Sequence, residues 1–148
     1  MEIRRALPKD AVEIAIAEAE IFSDPWQEKD VTSTISTEGA LCYTALSDGK
    51  VIAYILGRLI APEGEIYRIA TLPQYRRRGI AYRLLDYAVK TERGKGLENL
   101  FLEVREKNLP ARKLYSAYGF REIGIRKNYY KNPSDNACVM LLSNEKDL

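Results

Sequence analysis

The chain has 148 residues, of which 46% are hydrophobic and 30% charged, and 23 basic against 21 acidic side chains give a net charge of +2. These values predict one globular domain over residues 1–148 and argue against a protein that binds nucleic acid directly through bulk charge. Because the chain has no histidine, a Ser-His-Asp mechanism and histidine-ligated zinc are excluded within one chain, and we expect no metal.

The N-terminal third predicts a short strand over residues 3–6 and two helices. The first helix begins at Pro8 and Asp10, and its expected apolar stripe is Val12, Ala15, Ile16 and Ala19. Asp24-Pro25-Trp26 resembles an N-cap followed by proline at the first helical position, so a second helix is expected to run to Ser36. The N-terminus lacks the apolar stretch of a signal peptide, and no apolar run approaches the roughly 20 residues that span a bilayer. We therefore expect a cytoplasmic protein with no membrane partner.

The central third predicts three strands. Residues 41–46 and 51–60 flank an Asp48-Gly49 pair, which is a strong hairpin signal. A further strand over residues 65–72 ends at Pro73, because proline cannot continue a sheet ladder. Cys42 lies in one strand-like run and Cys138 in a later one. Their spacing fits neither a metal site nor a redox motif, so both are expected to be small buried side chains.

The remaining chain alternates helices and strands. A helix is expected from about Gly79 to Gly94 or Gly96, and another from Asn108 to Gly119. Between them, residues 99–104 alternate, with Leu100, Leu102 and Val104 on one face and Asn99, Phe101 and Glu103 on the other. Two last strands, over residues 120–129 and 136–142, complete an α/β domain whose sheet has about seven strands.

One interpretation of the segment between the predicted strand over residues 65–72 and the helix at Gly79 is a phosphate-binding loop. The first turn of a helix has unpaired N–H groups and a positive dipole end, and Gly79 permits close backbone approach. Arg76, Arg77 and Arg78 add positive charge in a geometry that matches phosphate. A solvated basic turn ahead of an amphipathic helix is the alternative.

Four motifs together resemble a known enzyme family. Arg76-x-x-Gly79-x-Ala81 is similar to the phosphate-loop signature of the GNAT superfamily of N-acetyltransferases. The superfamily's second block is matched by Leu102-Glu103-Val104-Arg105 followed by Asn108-x-x-Ala111-x-x-Leu114-Tyr115-x-x-x-Gly119-Phe120. Arg126-x-Asn128-Tyr129-Tyr130 and Asp24-Pro25-Trp26 narrow the resemblance to the bacterial ribosomal-protein-alanine N-acetyltransferases. The resemblance covers nearly the whole chain.

This resemblance implies a mixed, mostly antiparallel sheet of about seven strands, flanked by about four helices, in which two central parallel strands splay apart. It also implies acetyl-CoA as co-substrate. The backbone of Ile69, Ala70 and Thr71 would hold the acetyl carbonyl and the pantetheine arm. The pyrophosphate would bind the loop and helix start, formed by Arg76, Arg77, Arg78, Gly79, Ile80, Ala81 and Tyr82. Asn108 would hydrogen-bond the arm of the co-substrate.

Each of these residues also has a plain structural interpretation. Ile69 and Ala70 could be strand core, and Asn108 could be a helix N-cap, a role compatible with a co-substrate contact.

The same resemblance implies that Glu103 is the general base and that Tyr115 is the general acid, with a contact to the co-substrate. Phe101 shares the face of Glu103 and could partly desolvate its carboxylate. An exposed glutamate paired with Arg105 or Lys107 is the alternative for Glu103, and a core aromatic is the alternative for Tyr115. A tyrosine of ordinary pKa would protonate a thiolate at a cost of roughly 2 kcal/mol, so Tyr115 must be tuned, be re-protonated concertedly, or only donate a hydrogen bond.

The implied reaction is direct attack of an amine on the thioester in a ternary complex. An α-amino group titrates roughly 2.5 pKa units below lysine, a difference of about 3.4 kcal/mol, so a lone carboxylate base suits an N-terminal amine better. The implied acceptor is the N-terminal alanine of a small-subunit ribosomal protein, and Trp26, Tyr129 and Tyr130 are candidates for binding its peptide. Packing against the first helices is the alternative for Trp26. A small-amine or antibiotic acetyltransferase, a non-catalytic CoA-binding regulator and an RNA- or ribosome-binding module remain alternative functions.

Overall fold

The computed structural model describes residues 1–143, in which seven strands and four helices form the fold. The strands are β1 (Glu2–Arg5), β2 (Tyr43–Ser47), β3 (Lys50–Ile60), β4 (Glu63–Thr71), β5 (Asn99–Arg105), β6 (Arg121–Tyr130) and β7 (Asp135–Ser143). The helices are α1 (Ala11–Ile21), α2 (Glu28–Ser36), α3 (Ile80–Arg93) and α4 (Leu109–Tyr118). Short 3-10 turns at Pro8–Asp10 and Pro73–Tyr75 precede α1 and the loop before α3.

All strands belong to one sheet in the order β1-β2-β3-β4-β5-β7-β6. β4 and β5 are parallel and pair from Glu63 with Asn99 to Ile66 with Leu102, whereas the other neighbouring strands are antiparallel. Beyond these residues β4 and β5 separate, although β4 still pairs with β3 as far as Thr71. The expected mixed sheet with two splayed central strands is therefore confirmed, and one backbone edge of β4 is left without a sheet partner.

A β-bulge in β4 changes which face of the sheet its side chains occupy. Gly57 of β3 pairs with Ile66 and Leu56 pairs with Arg68, so Tyr67 is skipped. The bulge shifts the alternation, and Arg68 and Ala70 consequently face α1 and α2. Gly57 permits this close pairing, because a Cβ there would collide with the carbonyl oxygen of Glu65.

Two apolar layers cover the sheet, one on each face. The larger lies against α3 and α4 and includes the buried face of α3 and the inward residues of β5: Ile80, Leu84, Leu85, Ala88, Leu100, Leu102 and Val104. The smaller lies against α1 and α2 and includes Ala11, Ile14, Val31, Ile35, Tyr54 and Leu56. Both cysteines are buried, as expected.

The predicted apolar stripe of α1 is wrong. Val12, Ile16 and Ala19 are exposed, and Ala15 is only partly buried. The buried face is formed instead by Ala11, Ile14, Ala17 and Glu18. Hydrophobicity alone could not identify this face, because a glutamate lies at its centre and is satisfied only by residues distant in sequence.

The predicted start of the second helix is also wrong, although its end at Ser36 is confirmed. Asp24 does not cap α2, which begins at Glu28 with Gln27 as its N-cap. The backbone carbonyl of Asp24 accepts a hydrogen bond of 2.6 Å from Arg68. This contact holds the segment in an irregular conformation that leads into α2.

Local turn chemistry predicted other boundaries well. Asp48 and Gly49 both have positive φ, of 51° and 77°, as a two-residue hairpin of type I′ requires. Asn108 caps α4 by accepting a hydrogen bond of 3.2 Å from the Ala111 amide, and Gly119 ends the helix with a φ of 126°. The N-cap interpretation of Asn108 is thus confirmed.

Candidate active site

The separation of β4 and β5 opens a continuous depression that crosses the domain. We divide it into a groove, a central cavity and an outer cavity, with volumes of about 580, 460 and 530 Å³. Ile69, Asn108 and Tyr115 line both the groove and the central cavity, whereas Arg68 and Glu103 line both the central and outer cavities. Molecules entering from the two ends would therefore meet between the strands.

The groove collects nearly all the residues that the sequence assigned to acetyl-CoA. Those that line it are Ile69, Ala70, Thr71, Arg76, Arg77, Gly79, Ile80, Ala81, Tyr82, Asn108 and Tyr115. Arg78 does not line it; its guanidinium donates to the Gln74 carbonyl and lies 5.2 Å from the Tyr75 ring centroid. The segment Ile69–Thr71 has backbone groups on its splayed edge that lack a strand partner, and pantetheine amides could pair with them.

The mouth of α3 has the geometry of an anion site. Gly79 is the N-cap with a φ of 75°, no side chain caps the helix, and a Cβ at Gly79 would meet no atom within 4 Å. The first-turn amides of Ile80, Ala81 and Tyr82 therefore lack intrahelical acceptors at the positive end of the helix dipole. This open cradle fits a diphosphate.

The arginines contribute unequally to this cradle. Arg76 donates from Nε to the Thr71 carbonyl at 3.1 Å, so its side chain joins the loop to the end of β4 while lining the groove. Arg77 has a left-handed backbone with a φ of 64°. Both residues lie where the sequence predicted charge for a phosphate, but Arg76 also has a structural role that the sequence did not reveal.

Glu103 lies where the cavities meet, and its side chain is 20% exposed. Its Oε2 atom is 2.6 Å from Nε of Arg126, an ion pair outside hydrogen-bond geometry; within residues 1–143 this buried oxygen has no hydrogen-bond donor. The alternative pairing with Arg105 or Lys107 is wrong, because Arg105 instead donates to the carbonyls of Lys131 and Pro133. The carboxylate thus lies at the junction of the central and outer cavities, with Arg126 as its ion-pair partner.

The negative charge of Glu103 raises the pKa of three neighbouring side chains. Burial and this charge together raise the pKa of Glu65, and they raise the pKa of Tyr130 to about 12. The same charge is the main cause that raises the pKa of Tyr129, ahead of burial. Both tyrosines therefore remain neutral hydrogen-bonding groups at physiological pH.

Tyr115 is buried between the groove and the central cavity, with 4% of its surface exposed. Burial raises the pKa of its hydroxyl far above the ordinary value, and its ring centroid lies 5.7 Å from that of Phe120. The side chain is thus both part of the core and part of the cavity wall. A raised pKa makes full proton release costlier, which favours the hydrogen-bond-donor role among those considered for this residue.

The aromatic residues predicted to bind an acceptor surround the outer cavity. Trp26, Tyr129 and Tyr130 all line it. The rings of the two tyrosines meet edge to face with centroids 5.1 Å apart, and Tyr130 also lies against Arg105 at 4.4 Å. Trp26 packs against the α1–α2 core layer as well, so its structural interpretation and its predicted site position are both compatible with the fold.

Sequence reasoning missed Arg68 and Glu18. Arg68 lines the central and outer cavities and donates to Oε1 of Glu18 at 3.1 Å, and Glu18 is completely buried. Charged residues in the middle of an apolar helix and strand could have signalled a buried ion pair. The two residues, however, are 50 positions apart in the sequence, and only the fold shows that they pair with each other.

Three further features of the described residues bear on other kinds of site: the cysteine thiols, clusters of metal-binding side chains and long apolar helices. Burial raises the pKa of Cys42 to about 11 and also raises that of Cys138, so neither thiol is a good nucleophile. Residues 1–143 contain no group of three or more metal-binding side chains. None of the helices in this range is long and apolar enough to cross a membrane.

Comparison with known proteins agrees with this geometry. Residues 11–120 match the model of the acetyltransferase (GNAT) family. The ribosomal protein bS18-alanine N-acetyltransferase of Escherichia coli is 33% identical over 120 residues, which is 80% of each chain. Its counterpart in Haemophilus ducreyi is 33% identical over 125 residues, covering 80% of this chain and 83% of the relative.

A solved structure extends the similarity to the whole fold. The crystal structure of the Escherichia coli ribosomal-protein-alanine N-acetyltransferase matches with a TM-score of 0.89 and 30% identity, covering 96% of this chain and 92% of that one. The family match, the relatives and the groove lead to one conclusion. The chain belongs to the acetyltransferase (GNAT) family and is an acetyl-CoA-dependent N-acetyltransferase.

Proposed function

We propose that this protein acetylates the N-terminal α-amino group of a protein, and that its acceptor is a small-subunit ribosomal protein that begins with alanine. The observation that carries this proposal is the position of Glu103, which lies between the groove that fits acetyl-CoA and an outer cavity lined by aromatic side chains. The acceptor identity rests on the relatives in Escherichia coli and Haemophilus ducreyi, which are named for alanine of ribosomal protein bS18.

In the proposed reaction, Glu103 accepts the proton that the acceptor's ammonium group loses, directly or through water. The neutral nitrogen then forms a C–N bond with the acetyl carbon while the thioester C–S bond breaks, and the second proton that the nitrogen loses passes through water to the departing thiolate, which leaves as the free thiol of CoA. Tyr115 donates a hydrogen bond to the departing sulfur, because burial keeps its hydroxyl protonated. The products are the acetylated N-terminus and CoA, and no cysteine takes part.

The cofactor contacts proposed for the groove follow its geometry. The amides at the mouth of α3, with Arg76 and Arg77, bind the pyrophosphate, and the free edge of Ile69–Thr71 binds the pantetheine arm. Asn108 caps α4 through its Oδ1 atom, which leaves its amide nitrogen as a donor for that arm. Arg78 does not line the groove, and its positive charge acts on the pyrophosphate only at long range.

An N-terminal amine suits this site better than a lysine side chain. An α-amino group is roughly a tenth neutral at pH 7, whereas fewer than about one lysine in a thousand is neutral. Deprotonating an α-amino group therefore costs less free energy than deprotonating a lysine, and a single carboxylate with no histidine to assist it is better suited to that easier step. Ala-initiated peptides also present a small first side chain to the confined central cavity.

The test measures thiol release from acetyl-CoA by the purified 148-residue chain, with mass spectrometry of each product. The acceptors are peptides beginning with alanine, serine or methionine, an N-terminally blocked peptide that contains lysine, a polyamine and an aminoglycoside. We expect the alanine peptide to react fastest and the blocked peptide not at all. Faster turnover of the polyamine or aminoglycoside would instead identify a small-amine acetyltransferase. Tight acetyl-CoA binding with no thiol release would indicate a regulator.

A further inference from the structure

Arg68 attaches the segment between α1 and α2 to the splayed strand β4. Its Nε donates to Glu18 at 3.1 Å, and its Nη2 donates to the carbonyl oxygen of Asp24 at 2.6 Å. The guanidinium also lies 4.2 Å from the ring centroid of Phe22 and 5.8 Å from that of Trp26. One side chain of β4 therefore contacts the end of α1 and much of the segment that follows it.

Glu18 is the buried ion-pair partner of Arg68 in this attachment. Besides Arg68, its carboxylate accepts hydrogen bonds from the Tyr54 hydroxyl at 2.6 Å and from the Trp26 backbone amide at 3.0 Å. The Glu18 side chain is fully buried, and that of Arg68 is only 12% exposed. Removing one partner from a pair buried this deeply would leave an uncompensated buried charge.

The attached segment forms one wall of the cavities. Phe22 and Asp24 line the central cavity, and Asp24 and Trp26 line the outer one. Glu103 and Tyr130 also line both cavities. The segment that Arg68 contacts therefore lines the same two cavities as Glu103.

We propose that Arg68 is a positioning residue for the acceptor: it fixes residues 22–26 against β4 and thereby sets the width of the acceptor path. This inference deepens the proposed function and rests on it. The acceptor affected is the peptide that enters through the outer cavity. Arginine suits this role because its planar fork donates along two edges while its face lies against aromatic rings, which a lysine cannot reproduce.

Trp26 reports the position of the segment directly, because it is the chain's single tryptophan. In Arg68→Met we expect its fluorescence to shift to the red and to be quenched more by acrylamide than in the wild-type protein. Arg4→Met is a matched control, since Arg4 also pairs with a buried carboxylate, that of Asp10, at a distance from the cavities. The control should leave Trp26 emission unchanged.

Steady-state kinetics provide the second measurement. We expect Arg68→Met to raise the KM for an Ala-initiated peptide by about tenfold or more, with kcat at saturating peptide and the Kd for acetyl-CoA changed by less than about threefold. Arg68→Lys should raise this KM by less than Arg68→Met does, without restoring the wild-type value. Arg4→Met should behave as wild type in each measurement.

A second variant keeps the test decisive if Arg68→Met does not fold because Glu18 is left buried and unpaired. In the double variant Glu18→Gln with Arg68→Met, the new side chain is neutral: its Oε1 can accept from the Trp26 backbone N–H, and its Nε2 can donate to the Tyr54 hydroxyl oxygen. The same red shift and the same rise in KM are expected.

An unchanged Trp26 emission together with an unchanged peptide KM would overturn the inference. A loss confined to kcat, or to acetyl-CoA binding, would do so as well. Failure of the wild-type chain to acetylate any peptide would refute the proposed function instead. The fluorescence of the variants would still show whether Arg68 holds the segment.

Discussion

Arg126 Nε lies 2.6 Å from Oε2 of Glu103 and occupies the face of the carboxylate turned toward β6. The arginine side chain is 61% exposed, whereas that of the glutamate is 20% exposed. The pair thus joins a solvated cation to a confined anion at the junction of the cavities. Arg126 is thus the charged neighbour of Glu103 at the point where the central and outer cavities meet.

Glu103→Gln should lower kcat by about 10²-fold near neutral pH, because the amide keeps the shape of the side chain but cannot accept the ammonium proton. The loss should shrink as the pH rises above about 8, where the α-amine deprotonates by itself. The pH profile of kcat with an Ala-initiated peptide checks this. Glu65→Gln, which removes a nearby carboxylate, is the control. An equal loss at every pH would contradict the role of base.

Gly79→Val should raise the Kd for acetyl-CoA at least about tenfold, or ~1.4 kcal/mol, because the side chain enters the phosphate cradle. Isothermal titration checks this. Gly49→Val is a matched control, since Gly49 has nearly the same φ of 77° and equally open surroundings but lies in the β2–β3 hairpin. Both variants carry the same backbone strain, so an equal effect on binding, or none, would refute the loop assignment.

Tyr115→Phe should lower kcat by about 10²-fold through loss of a hydrogen bond to the departing sulfur. Because burial raises the pKa of Tyr115, the wild-type profile should show no titration of this hydroxyl at physiological pH. Tyr118→Phe is the control: its hydroxyl donates to Asp86 at 2.9 Å, so its removal should affect stability more than turnover. Equal kinetic losses in the two variants would indicate a packing role only.

Asp10 should make folding stability depend on acid pH. Burial alone would raise its pKa, but hydrogen bonds from Arg4 and the Leu7 amide outweigh burial, and the pKa is lowered. A lowered folded-state pKa stabilises the protein above the unfolded value of about 3.9, and this contribution disappears as pH falls through the folded value. Asp10→Asn should therefore cost roughly 1–3 kcal/mol at pH 7 and progressively less toward pH 3.

Urea unfolding at several pH values measures this effect. Asp48→Asn, in the exposed hairpin turn, serves as the control and should show little dependence on pH. A cost for Asp10→Asn that stays constant from pH 7 to pH 3 would show that the carboxylate charge contributes nothing.

Local sequence determined much of this protein. The alternation of β5, the Asp48-Gly49 turn, the Asn108 cap and the arginine-glycine loop before α3 each depend on backbone and side-chain preferences within a few residues. Such preferences are encoded locally, so these elements were predicted nearly in place. The family motifs then pointed to Glu103 and Tyr115, whose roles stay predictions.

Tertiary structure alone decided the features that join distant segments. The buried face of α1 is centred on Glu18, whose partners Tyr54 and Arg68 come from other elements, and hydrophobic periodicity reads such a residue as exposed. Arg68 reaches it only because a bulge shifts the alternation of β4. A buried charge is stable only where the tertiary structure places an opposite charge beside it. No local pattern in the sequence shows which distant residue provides that opposite charge.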